Sequence, residues 1–110
     1  MSYPRIKSVK FESSGQYTNI PKQAVLGDAI RITAIVNLAS ADTAKITIDD
    51  SAETVKVDAV AMTKAADGVY TYILQSDEDW DCGTFIITIE ISDGTNTATR
   101  QDRIELLEQD

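Results

Sequence analysis

Alternating apolar and polar residues, broken by turn residues at spacings of about 10–14 positions, predict an all-β chain folded as a two-sheet antiparallel sandwich of about seven strands. Two further observations support that class. The apolar 43% of the chain comes mainly from Ile, Val and Ala, with only 6% aromatics, a mixture suited to side chains interdigitating between two sheets. No segment carries a sustained helical period. At 110 residues the chain is long enough for one domain with its own core and too short for two.

The first strand is expected within Arg5–Ser13, with Ile6, Val9 and Phe11 as its apolar members. Ser-Ser-Gly-Gln at 13–16 breaks it, and Pro21 keeps the following segment irregular. Gly27-Asp28 opens a core strand in which Ile30, Ile32, Ala34, Val36 and Leu38 alternate with mostly polar neighbours. After Ser40-Ala41-Asp42, the next strand places Ala44, Ile46 and Ile48 on one face; Asp49-Asp50-Ser51 closes it, and Val55, Val57 and Ala59 begin another. Ala61–Ala66 has the composition of a short helical turn. Asp67-Gly68 is a turn that delivers Tyr70, Tyr72 and Leu74 to the core side of a strand. The polar stretch Ser76–Cys82 reads as a loop. Phe85, Ile87, Ile89 and Ile91 then form the most regular apolar face of the chain, and Asp93-Gly94-Thr95-Asn96 turns into a last strand ending through Ile104 and Leu106. Residues 1–27 thus supply the first strand and a lead-in, 28–107 the core sandwich, and 108–110 a frayed tail.

The formal net charge is −8, unevenly spread: residues 1–36 carry +3, residues 37–95 carry −9 and residues 96–110 carry −2. Such a balance argues against nucleic acid as a partner, because phosphate binding needs clustered Lys and Arg. It leaves head-to-tail self-association or a basic neighbour as electrostatic options. There is no histidine, which removes the commonest general base at neutral pH. Cys82 is the only cysteine, so no internal disulfide forms, and among acidic neighbours it is expected to be a poor nucleophile and a small, half-buried residue. No apolar run approaches membrane-spanning length, and Met1–Arg5 leads into a strand pattern without the apolar segment of a secretory signal.

The segment Asp67-Gly68-Val69-Tyr70-Thr71-Tyr72, a loop, and then Gly83-Thr84-Phe85-Ile86-Ile87-Thr88-Ile89 resembles bacterial and viral immunoglobulin-like domains. In that family a Gly-x-Tyr strand precedes a Gly-Thr-Tyr/Phe strand, an Asp-Gly turn and a final strand. Asp81-x-Gly83-x-Phe85 stands where the family often has Asp-x-Gly-x-Tyr, the tyrosine-corner region. Phe85 lacks the hydroxyl that such a corner needs. Ile87 stands at the position of the second disulfide cysteine, and no tryptophan marks the third core strand. The resemblance is therefore to the disulfide-free bacterial, viral and fibronectin-III-like sandwiches, over most of residues 28–107, and it implies a sandwich more than a function.

Asp77-Glu78-Asp79-Trp80-Asp81 is the densest polar feature. Asp77, Asp79 and Asp81 alternate as the ligands of a calcium loop do, and the spacing resembles an EF-hand. However, Gly83 falls one place late and Thr88 stands where the bidentate Glu belongs, so the expectation is a solvated acidic loop with no metal or other cofactor. Trp80 has two readings, a ring packed over a sheet end or, with Asp77 and Asp79, an anchor for a partner. Asp42, Asp49 and Asp50 are expected as turn residues. No paired carboxylates face a common cleft, so no catalytic residue is expected.

These readings converge on a non-catalytic interaction module with a protein partner, on a capsid, tail or surface layer, or another copy of itself. A disulfide-free sandwich without an export signal resembles the accessory or decoration proteins of phage and viral particles, made in the cytosol and carried on the virion. The alternatives are a module excised from a secreted bacterial or archaeal surface protein, or a carbohydrate-binding module using Trp80 and the loop carboxylates.

Overall fold

The computed structural model describes residues 3–13, 23–50, 52, 54–77 and 79–108. Nine strands run through them: β1 (Ile6–Ser13), β2 (Gln23–Val25), β3 (Ala29–Val36), β4 (Thr43–Asp49), β5 (Val55–Ala61), β6 (Thr63–Ala66), β7 (Val69–Gln75), β8 (Gly83–Ser92) and β9 (Thr97–Leu107). They form two packed sheets, one in the order β1-β3-β7-β6 and the other in the order β2-β9-β8-β4-β5. The all-β sandwich is as expected. Two strands lie beyond the anticipated seven, β2 and β6, each too short to carry a readable alternation. Every pairing is antiparallel except β2 with β9, which run parallel through Gln23↔Glu105, Ala24↔Leu106 and Val25↔Leu107. Pro21 and most of the expected break at 13–16 lie outside the described residues, as does the end of the tail.

The inner faces are filled by the residues that the alternation placed there. Ile30, Ile32, Ala34 and Val36 from β3, with Tyr70 and Leu74 from β7, oppose Ala44, Ile46 and Ile48 from β4 and Phe85, Ile87, Ile89 and Ile91 from β8. β-Branched side chains suit this role because their restricted rotamers fit a pleated surface and lose little on ordering. Ile104 and Leu106 close the core at the lower end of β9, where the chain leaves beside Leu26. Tyr72 is half-buried against the same cluster.

Ala61–Ala66 is not helical. Ala61 ends β5, Met62 turns inward, and Thr63–Ala66 becomes the edge strand β6, paired with β7. Its helix-compatible composition is overridden by the unpaired backbone that β7 offers on that side, since six residues form too short a helix to stand alone. The neighbouring edge, β5, is irregular. Its pairing with β4 slips twice, between Ile46 and Ile48 and between Ile48 and Asp49, and Ala59 takes a positive φ of 47° at the first slip. Bulges of this kind twist an edge away from foreign strands.

Tyr70 links the two layers. Its hydroxyl accepts a hydrogen bond from the Ala41 N–H at 2.7 Å, tying the β3–β4 connection to β7. A Tyr70→Phe substitution leaves that half-buried donor unpaired. It is expected to cost about 1–2 kcal/mol of stability, read as a lower thermal midpoint with an unchanged far-ultraviolet spectrum.

Candidate functional site

The acidic loop between β7 and β8 is built from its first residue outward. Ser76 is buried, and its hydroxyl donates to the Asp28 carbonyl at 2.7 Å while accepting from the Gly27 N–H at 2.9 Å. The loop is thereby clamped to the turn between β2 and β3. Asp77 then folds the chain on itself: its carboxylate accepts from the Asp79 N–H at 2.9 Å, and its carbonyl accepts from the Trp80 N–H at 3.0 Å. A short carboxylate at a turn start favours this geometry over solvation alone.

That turn directs Trp80 inward. Its ring stacks on Phe85, with centroids 5.9 Å apart and planes 24° from parallel, and the Lys56 ammonium from β5 lies 5.4 Å from its centroid. Trp80 is therefore half-buried over the end of the core, the first of its two expected readings. Sequence reasoning did not foresee Lys56 here, because nothing local in Val55-Lys56-Val57 refers to a loop some 24 residues away. Lys56 also lies 3.7 Å from Asp50.

Asp77, Asp79 and Asp81 are all exposed, and among the described residues no three His, Cys, Asp or Glu side chains come together to hold a metal ion. The Asp77 carboxylate caps its own turn, and Trp80, between Asp79 and Asp81, is drawn to the core. Cys82 is exposed rather than half-buried, because Gly83 begins β8 just beyond it and the first inward position falls to Phe85.

Two other aspartates behave as the turn residues anticipated, or as their neighbours. Asp50 accepts from the Thr54 N–H at 2.8 Å and the Ala52 N–H at 2.9 Å; Asp93 accepts from the Asn96 N–H at 2.7 Å and the Thr95 N–H at 2.8 Å. These bonds hold both carboxyls below the usual aspartate range, led by Thr54 for Asp50 and by Asn96 for Asp93, with Lys56 adding to the former. The unfolded chain binds protons on these groups at a higher pH than the native fold does. Their contribution to stability is thus complete above about pH 4 and lost as the pH falls through the lowered values. A double Asp50→Asn, Asp93→Asn variant keeps oxygen acceptors but cannot titrate there. Its melting temperature is expected to fall less steeply between about pH 4 and pH 2 than that of the parent, in parallel thermal scans.

A shallow open depression of about 290 Å³ lies beside the β5–β6 connection, with Ala44, Met62 and Tyr70 in its lining and Lys45 and Lys64 among its polar residues. Lys64 is 3.4 Å from Asp67. Nothing in it pairs a nucleophile with a base. Among the described residues no helix is long and apolar enough to cross a membrane. No family model matches the chain, and no curated protein matches it in sequence.

Proposed function

We propose that the chain is a non-catalytic immunoglobulin-like module that holds one surface to another, as an accessory or decoration protein of a phage or viral particle. The observation that carries the immunoglobulin-like part is strand order. In that fold the first, second, fifth and fourth strands make one sheet and the third, sixth and seventh the other. With β2 taken as a continuation of the first strand and β5 as an added edge, β1-β3-β7-β6 facing β9-β8-β4 reproduces it. Tyr70, one strand earlier than the usual corner tyrosine, supplies a hydroxyl bond to the β3–β4 connection that Phe85 cannot.

The non-catalytic part rests on where the polar groups are. Both inner faces are occupied by Ile, Val, Ala, Leu, Tyr and Phe, so the module has outer faces, edges and loops with which to act. Carbohydrate binding is the weaker alternative, because the Trp80 ring that a sugar would stack on is engaged by Phe85 and Lys56. Co-sedimentation of the purified chain with particles from its natural source tests the proposal. Saturable pelleting at a fixed number of copies per particle is the expected result. A chain left in the supernatant, but with its Trp80 fluorescence shifted by a polysaccharide, would sink it.

A further inference from the structure

Half of the ten basic residues of this acidic chain gather along one edge of the sandwich. Arg5, Lys7 and Lys10 lie on or just before β1, Arg31 lies opposite on β3, and Arg100 comes from β9 of the other sheet. A bulge brings the last of these in. The β1–β3 register slips between Ile6 and Ser8, which leaves Lys7 as the extra residue; its carbonyl accepts from the Arg100 guanidinium at 3.3 Å. The half-buried Arg100 is thereby held across the seam where β1 meets β9. The carboxylates on β1 and β9 are Glu12, 3.2 Å from Arg31, Asp102 and Glu105, and β9 adds the cation Arg103. This edge therefore carries a local charge of +3, while the rest of the chain carries −11.

We infer that the β1–β9 seam is the face by which the module holds an acidic protein surface, an inference that deepens the interaction role proposed above. The molecule extends 50 × 26 × 17 Å, and charges are screened over about 8 Å at physiological ionic strength. A partner seated on the seam feels the +3 beneath it. The acids of the β7–β8 loop and the β4–β5 turn belong to connections between strands that do not pair with β1. An acidic partner is thus repelled by most orientations of this protein and attracted by one, which fixes the orientation of binding as well as permitting it.

The test uses the whole chain, with biotinylated poly-L-glutamate as the probe, at 0.1 M salt. Two triple variants of equal net charge are compared with the parent: Lys7→Gln, Lys10→Gln, Arg100→Gln on the seam, and Lys45→Gln, Lys56→Gln, Lys64→Gln on the opposite side. The parent is expected to bind saturably and to be released at 1 M salt. The seam variant should bind at least tenfold more weakly, and the opposite variant within about threefold of the parent. Arg100→Lys, which keeps the charge but loses the Lys7 bond, controls for folding and should bind within about threefold of the parent. Equal weakening in the two triples overturns the inference, since net charge alone would then be at work. Tighter binding to a 20-base-pair DNA duplex than to poly-glutamate also overturns it, as does a mass that grows with concentration for the chain alone. Poly-glutamate binding without particle co-sedimentation sinks the virion proposal and leaves the seam intact; co-sedimentation that survives the seam variant sinks the seam alone.

Discussion

Replacing Gly68 by alanine should destabilise the fold by about 3 kcal/mol, lowering the thermal midpoint by about 12 °C for a domain of this size. Gly68 sits in the turn between β6 and β7 with φ of +74°, where an L side chain costs about 1–2 kcal/mol. Space adds the rest. A Cβ there would lie 2.8 Å from the Val36 carbonyl oxygen, a backbone atom that cannot swing aside. Moving it disturbs the bond from the Val36 N–H to the Gly68 carbonyl at 2.8 Å and that from the Gly68 N–H to the Ala39 carbonyl at 3.2 Å. Gly94 provides the comparison. Its φ is +95°, but an added Cβ would meet the Asp42 side chain at an ordinary 3.6 Å. Gly94→Ala should therefore show the conformational cost alone, about 1–2 kcal/mol. Equal losses in the two variants, measured by denaturant titration, would refute the steric part of this account.

Phe85→Ala should cost about 3–5 kcal/mol, as for other fully buried aromatic truncations. Phe85 is 0% exposed, and the substitution removes both its own burial and the ring on which Trp80 rests. The second effect has its own readout. Trp80 emission should shift to longer wavelength under conditions where circular dichroism still shows a folded sheet. A blue or unmoved emission would mean that Trp80 is held by Lys56 and the Asp77 turn instead.

The inward faces of β3, β4, β7 and β8 were legible because burial on one side imposes period two, and a one-residue slip would expose Ile30, Ile46 or Ile89. The Asp93–Asn96 turn was legible for a similarly local reason: an Asp that caps its own turn announces itself by its neighbours. β2 and β6 were not, since three and four residues are placed by the strands they join rather than by their own pattern. The acidic loop was half legible. Its turn-forming Asp77 is encoded locally, but the fate of Trp80 depends on Phe85 and Lys56, brought in by two different strands. The same holds for the basic seam, where the cations of β1 are visible in sequence and Arg100 joins them only through the bulge at Lys7.

The parallel pairing of β2 with β9 bears on how the fold would resist an applied pull. Arg5 is bonded to Asn37 at one pole, and Leu107 accepts from the Leu26 N–H at the other. A pull applied through residues near these two points acts along the strands, so the β2–β9 bonds slide together instead of parting one at a time. Single-molecule stretching from these positions should give a higher rupture force than stretching across the β4–β5 turn, where hairpin bonds open in sequence.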